Sequence, residues 1–306
     1  MKARLEGRAL GLAALAVVIL LFSLGSTLVK LAHTPSVAIA FWRMLLCSLI
    51  WIGILRVSER RWLTWADIRP ALLPGIAFGL NIVLFFTGVT KTTIASAEFT
   101  GALTPLIVVP LGAIMFHEKV RLAALSFGLI GLAGLAIVLF NAPPTGEFSW
   151  GGVAWIACAL VMWSTYLLTS RTLRQGRSVA VVMASITPIA TAITLVVGLA
   201  FAREDLTAIT WRSVVFITLL AVLTGTIAHG LMVFAQHSVP IGVISMLQVS
   251  QPGLSVLWSV LFLSSSVRPI QLVGMAMVIL GLTLVTVATQ RSGQRATQRA
   301  AQHAEV

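Results

Sequence analysis

Hydrophobic residues occur along this chain in long runs that short polar connections separate. A helix needs about 20 mostly apolar residues to cross a bilayer, and ten stretches satisfy that requirement. They lie at about 9–29, 37–55, 71–89, 93–116, 122–140, 151–170, 179–201, 213–235, 240–263 and 269–289. The pattern therefore predicts an all-α integral membrane protein with ten transmembrane helices.

One stretch of the sequence occurs twice. Residues 94–121, IASAEFTGALTPLIVVPLGAIMFHEKVR, align without a gap with residues 241–268, IGVISMLQVSQPGLSVLWSVLFLSSSVR, so that Pro105 matches Pro252. Five predicted spans fall in each half of the chain. Because five is odd, the second copy is inverted relative to the first. Inverted repeats are typical of secondary transporters, which bind substrate at the repeat interface near the membrane midplane.

The repeat divides the chain into four segments. We expect a first five-helix repeat at 1–140, a connecting loop on the outer side at 141–150, a second and inverted five-helix repeat at 151–289, and a polar cytoplasmic tail at 290–306. The small residues Gly75 and Gly79 form a GxxxG pattern in the third span. Such residues allow helices to approach closely within a membrane.

Composition and charge agree with a membrane protein. Hydrophobic residues make up 58% of the chain and charged residues 10%, whereas soluble domains are about 25% charged. Of the 21 Lys and Arg residues, Arg43 lies within a span and fifteen lie on the side of the N-terminus. The five on the other side are Lys30, Lys91, Arg203, Arg212 and Arg268. The positive-inside rule therefore predicts cytoplasmic termini in a multi-pass plasma-membrane protein, and the net charge of +12 does not indicate nucleic-acid binding.

Several segments resemble the EamA repeats of the drug/metabolite transporter superfamily. SLGSTLVKLA at 23–32, FWRMLL in the second span, and the long segment 84–120 resemble the first repeat. GGVAWIACALVMWSTYLLTSRTL at 151–173 and residues 224–287 resemble the second. The resemblance implies a ten-helix carrier with a central cavity that exports small metabolites such as amino acids. Within the superfamily, exporters of aromatic amino acids are the nearest match.

Polar side chains within the spans mark candidate positions for a cavity, because a polar group inside the hydrocarbon is costly unless it faces the protein interior or water. In the ninth span, Ser245, Gln248 and Gln251 recur at intervals of three and end at Pro252. The repeat-related stripe in the fourth span contains Glu98 and Thr104 and ends at Pro105. We interpret the two stripes as a midplane site and the two prolines as its hinges.

Aromatic residues complete the predicted site. Trp163 and Tyr166 lie in the sixth span, Phe85 in the third, and His229 in the eighth. Aromatic rings with a few polar groups favour an aromatic or amphipathic small molecule. The predicted substrate-binding residues are Asn81, Phe85, Glu98, Thr104, Trp163, Tyr166, His229, Met232, Ser245, Gln248 and Gln251.

Structural roles remain open for several of these residues. Glu98 lies near the outer end of its predicted span and could reach interfacial water. His229 could be held by a neighbouring carbonyl or threonine, and the two glutamines Gln248 and Gln251 could join helices. Arg43 could extend towards the membrane surface, and we interpret it as a structural residue.

The sequence favours a secondary transporter over other classes. It contains no phosphate-binding loop of an ATP-driven pump, no clustered carboxylates or histidines of a membrane enzyme, and no obvious selectivity filter. We expect a monomer with an amino-acid substrate, membrane lipids as neighbours, and no cofactor, metal or nucleic acid. A permease for another metabolite or a nucleotide-sugar is the alternative. Proton coupling through Glu98 and His229 is a hypothesis, and facilitated export would need neither residue.

Overall fold

A computed structural model describes residues 2–115, 122–143, 147–239, 241–284 and 287. Helices account for all of the regular secondary structure in these residues. Their bounds are α1 Lys2–Ser23, α2 Gly25–Leu31, α3 Ser36–Glu59, α4 Trp65–Ile68, α5 Leu72–Lys91, α6 Ile94–Gly101, α7 Thr104–Met115, α8 Leu122–Phe140, α9 Trp150–Arg174, α10 Val179–Phe201, α11 Trp211–Leu219, α12 His229–Ala235, α13 Ile241–Gln248, α14 Gln251–Leu263 and α15 Pro269–Leu284. A π-helix, Leu220–Ala228, joins α11 to α12, and 3₁₀ turns precede α5 and α11. The predicted all-α class is confirmed.

Six helical segments among the described residues are long and apolar enough to cross a membrane. They are Ala9–Leu31, Ser36–Glu59, Trp65–Lys91, Trp150–Arg174, Val179–Phe201 and Trp211–Ala235. Four shorter apolar helices coincide with the other predicted spans, at Ile94–Val108, Ser126–Phe140, Gln251–Leu263 and Pro269–Leu284. The protein is therefore a multi-pass membrane protein. The count of ten spans and the cytoplasmic termini stay predictions, and the predicted tail 290–306 lies outside the described residues.

Polar residues at the ends of the connections determine where several helices begin. The side-chain oxygens of Thr93, Ser149 and Ser178 each accept a hydrogen bond from the backbone N–H three residues later, at 3.1, 3.0 and 3.2 Å. Each bond satisfies an amide that the first turn of a helix leaves unpaired. Exposed tryptophans are the first residues of two helices, Trp150 in α9 and Trp211 in α11, as expected where a helix enters the membrane interface.

Glycines permit two close helix crossings, which confirms the packing role predicted for small residues. A Cβ atom on Gly79 of α5 would lie 2.9 Å from the carbonyl oxygen of Ala190 in α10. Gly134 of α8 and Gly274 of α15 are reciprocal, because a Cβ on either would lie 2.6 Å from the other's carbonyl oxygen. Helices α8 and α15, which are the last predicted spans of the two repeats, therefore contact each other through their backbones.

The predicted fourth and ninth spans are each interrupted. Each consists of two helices, with α6 ending at Gly101 and α7 starting at Thr104, while α13 ends at Gln248 and α14 starts at Gln251. The breaks fall at positions that the gapless alignment pairs. Proline lacks an N–H and clashes with the carbonyl four residues earlier, but it is tolerated in the first turn of a helix. Both repeat-related prolines accordingly lie in the second position of a new helix.

Two further irregularities occur in spans that the sequence predicted as continuous. The first span is interrupted at Leu24, between α1 and α2, and the eighth contains the π-helix Leu220–Ala228. π-helical segments are rare and frequently lie at functional sites. Here the helix breaks and the π-helix surround one internal cavity.

Candidate functional site

The cavity lies where the broken helices of the two repeats meet, between α5 and α9. Its volume is about 140 Å³, which holds on the order of ten water molecules and therefore a small organic molecule. Ten of the thirteen predicted site and hinge residues line it. They are Asn81, Phe85, Glu98, Thr104, Pro105, Trp163, His229, Gln248, Gln251 and Pro252.

One wall of the cavity is a single face of α9. Ile156, Ala159, Leu160 and Trp163 line the cavity from this helix, at the spacing that keeps side chains on one helical face. The Asn81 amide of α5 donates from Nδ2 to the carbonyl oxygen of Ala159 at 2.9 Å. This bond joins the two helices and leaves the other end of the amide as an acceptor at the cavity.

Glu98 is the carboxylate of the site. Its side chain is 4% exposed, so it lies within the protein and does not reach interfacial water. The Ser26 hydroxyl donates to Oε1, and Gln251 donates from Nε2 to Oε2 at 3.4 Å. Among the described side chains, no basic group lies within ion-pair distance of this carboxylate. Glu98 therefore links α6 to α2 and to α14, across the boundary between the two repeats.

Arg43 is buried and lines the same cavity, so it does not extend towards the membrane surface, which was the alternative to a structural role. Its side chain is 2% exposed. It donates from Nη2 to Oγ1 of Thr224 at 3.0 Å and from Nε to the carbonyl oxygen of Leu220 at 3.5 Å. Its guanidinium also lies 5.4 Å from the centre of the Phe86 ring. These contacts support the predicted structural role, and they place a buried cation at the cavity.

A cluster of rings lies at one end of the cavity around His229. The imidazole centre is 4.8 Å from the Phe22 ring, 4.6 Å from Phe78 and 5.8 Å from Trp163. Its Nδ1 is buried and has no hydrogen-bond partner in the described structure, so the predicted carbonyl partner is not found at that atom. Tyr166 lies behind this cluster, stacked on Phe78 at 4.7 Å, and does not line the cavity.

Two predicted residues remain. Met232 lies behind the cavity lining, and the side chain of Ser245 is not among those that the structure describes. Met232 contacts Gln248, whose Nε2 donates to the Met232 sulfur at 3.6 Å. The other end of that amide, Oε1, is buried and has no hydrogen-bond partner among the residues that the structure describes. In the eighth span, the π-helix changes the residues that face inwards, so Thr224 lines the cavity and Thr226 does not.

Sequence reasoning missed at least four contributors to the site. Phe22 and Gly25 line the cavity at the interruption of the first span, and Ser26 binds Glu98. The adjacent small residues Gly25 and Ser26 within an apolar run were the available signal. Thr224 was missed because the sequence does not show where a helix widens into π geometry.

The comparisons with known proteins agree with this architecture. The model of the EamA-like transporter family matches residues 9–140 and 150–287. No curated protein matches the chain. A solved structure, described only as a protein crystal structure, shares the fold with a TM-score of 0.68 and 20% sequence identity, over 93% of this chain and 99% of the other. The chain thus belongs to the EamA-like transporter family, whose members are membrane transporters of small molecules rather than enzymes.

Proposed function

We propose that the protein is a secondary transporter that exports amino acids with aromatic or large neutral side chains. The observation that carries this proposal is the cavity at the boundary of the two repeats, which has aromatic walls and hydrogen-bonding groups from both halves. The direction of export, the cytoplasmic termini, the plasma membrane and the monomeric state belong to the same proposal. It requires no metal or cofactor.

The lining supports an apolar side chain on the substrate. Phe22, Phe85 and Trp163 each present a ring at the cavity, and aromatic rings attract one another by about 0.5–1.5 kcal/mol beyond simple burial. The polar groups are few and fixed, as in other small-molecule sites. The Oε1 atom of Gln248 has no hydrogen-bond partner within the described part of the chain, and it can accept a hydrogen bond from a substrate N–H group.

The broken helices support alternating access. In carriers built from inverted repeats, discontinuous helices form the substrate site, and one repeat moves against the other. Here the breaks before Pro105 and Pro252 occupy equivalent positions, and both prolines line the cavity. We propose that the two prolines act as hinges, since their freed carbonyls allow each pair of helices to change angle.

Counterflow tests the proposed function. Purified protein is placed in liposomes that contain phenylalanine, tryptophan, methionine, threonine or a nucleotide-sugar, and entry of labelled phenylalanine or labelled nucleotide-sugar is measured. We expect internal amino acids to accelerate phenylalanine entry, most strongly the large apolar ones. Exchange of the nucleotide-sugar alone would overturn the amino-acid assignment. Failure of any internal compound to accelerate entry would contradict a carrier of these substrates and would favour a channel or an enzyme.

A further inference from the structure

Two buried ionisable groups, one acidic and one basic, face the same cavity, and neither has an ionic partner among the described side chains. Glu98 and Arg43 are 4% and 2% exposed, and both line the cavity. The ion pairs among the described side chains involve other residues, Lys30 with Glu147 and Arg61 with Glu59 and Asp67. A buried charge is costly unless it is paired as well as hydrogen-bonded, so this arrangement suggests that another molecule supplies the missing charges.

Both groups retain unused hydrogen-bonding capacity. An arginine carries five N–H donors, and the contacts of Arg43 with Leu220, Met44 and Thr224 use three of them. An ionised carboxylate accepts about four hydrogen bonds, and Glu98 receives bonds from Ser26 and Gln251. Each group can therefore accept a ligand without losing its present contacts.

We propose that the cavity is a zwitterion site, in which Arg43 binds the substrate carboxylate and Glu98 binds the substrate ammonium group. This inference rests on the proposed function and specifies its chemistry. A guanidinium binds a carboxylate through parallel N–H donors, and a carboxylate accepts from an ammonium group. The rings of Phe85 and Trp163, which line the same cavity, then enclose the side chain of the substrate.

Other ligand classes satisfy the two charges less well. A nucleotide-sugar or another anion could pair with Arg43, but it would bring negative charge into the cavity that contains Glu98. A polyamine could pair with Glu98, but it would bring positive charge into the cavity that contains Arg43. A neutral sugar would leave both charges unpaired. An α-amino acid satisfies both with a single small molecule.

The test removes one charged group at a time from the ligand and from the protein. Counterflow of labelled phenylalanine is measured in competition with phenylalaninamide, which lacks the carboxylate, and with 3-phenylpropionate, which lacks the ammonium group. The competition is measured in slightly acidic and in neutral buffer, because acid protonates the amide but also favours the neutral form of Glu98. We expect each analogue to compete at least about tenfold less well than phenylalanine, because each lacks one of the two charge-assisted hydrogen bonds to buried groups. Competition by either analogue as strong as that of unlabelled phenylalanine in the wild-type protein would overturn the proposal without recourse to any variant.

The variants assign each charge to one end of the substrate. In Glu98→Gln, we expect 3-phenylpropionate to compete as well as phenylalanine, while phenylalaninamide still competes less well than phenylalanine. In Arg43→Gln, we expect phenylalaninamide to compete as well as phenylalanine, while 3-phenylpropionate still competes less well. In Arg43→Lys, both analogues should compete less well than phenylalanine, as in the wild-type protein. Glu147→Gln and Arg212→Gln are matched controls, because they neutralise exposed residues away from this cavity. Size-exclusion profiles and melting temperatures in detergent identify variants that fail to fold.

The outcomes separate this inference from the proposed function. If the wild-type protein carries no amino acid, the proposed function fails and removes the basis of the zwitterion site. If phenylalanine is carried but both analogues compete with Glu98→Gln and Arg43→Gln as weakly as with the wild-type protein, the proposed function stands and the zwitterion site is overturned. In that case Arg43 and Glu98 serve only the structure around the cavity.

Discussion

Gln251 donates a side-chain hydrogen bond to Glu98 across the boundary of the two repeats, with 3.4 Å between Nε2 and Oε2. The repeat alignment pairs Glu98 with Ser245 and Gln251 with Thr104. The two halves therefore share a backbone pattern and differ in chemistry, with the carboxylate in the first repeat and the amides in the second. If the proposed function holds, this asymmetry would give a substrate a defined orientation in a site that is nearly symmetric in its helices.

Replacement of Gln251 by alanine should slow transport. The substitution removes a donor to a buried carboxylate, and such bonds contribute about 1.5–3 kcal/mol, so we expect phenylalanine counterflow to fall by about tenfold or more. The measurement is the initial rate per amount of reconstituted protein. A wild-type rate in Gln251→Ala would show that the bond across the repeats has no part in transport.

Trp163→Ala should distinguish large substrates from small ones. The Trp163 ring lines the cavity, and its centre lies 6.1 Å from the centre of the Phe22 ring. Its loss therefore removes stacking surface for an aromatic side chain. We expect the half-saturating concentration to rise by about tenfold for phenylalanine, which corresponds to about 1.4 kcal/mol, and less for threonine. Trp211→Ala, at an exposed helix start, is the control. Equal changes for the two amino acids would contradict an aromatic wall.

Gly134→Ala should destabilise the protein because the new methyl group would lie 2.6 Å from the carbonyl oxygen of Gly274. Overpacking of this kind costs about 1–3 kcal/mol, which lowers the melting temperature in detergent. Gly53→Ala is the matched control, since no atom lies within 4 Å of its added Cβ and alanine is the better helix former by about 1 kcal/mol. A Gly134→Ala protein as stable as the wild type would contradict the backbone crossing of α8 and α15.

A pH gradient distinguishes proton-coupled from facilitated export. Glu98 and His229 are titratable groups that line the cavity, and coupling needs at least one of them. Coupled transport predicts that the direction of the gradient changes the rate in the wild-type protein, and that Glu98→Gln or His229→Gln removes this response. Equal wild-type rates with and without the gradient would exclude coupling and leave facilitated diffusion.

The sequence predicted the framework of the fold better than its irregularities. Runs of apolar residues indicated the helices, because burial in lipid requires them, and the repeat placed Pro105 opposite Pro252. It did not show that each proline would begin a new helix rather than bend a continuous one. That outcome depends on which neighbouring groups satisfy the freed carbonyls, which a single sequence does not specify.

The same limit applies to the site. Polar residues within spans identified most of the lining, including Glu98 and Gln248, because such residues are costly elsewhere. Tyr166 lies three residues after Trp163, close enough in helical angle to be predicted beside it, yet it packs behind the cavity against Phe78. Thr224 faces the cavity only because the eighth span widens into a π-helix beside Arg43, and that register is set by packing between distant segments.

Equilibrium binding tests the central claim most directly. Labelled phenylalanine is titrated onto purified wild-type protein, onto Gln248→Ala and Trp163→Ala, and onto the control Gln175→Ala, which alters an exposed residue at the end of α9. A substrate site in the cavity predicts saturable binding by the wild type and by Gln175→Ala, and affinity at least about tenfold weaker in both cavity variants. Wild-type affinity in both cavity variants, or no binding by the wild-type protein, would contradict the account.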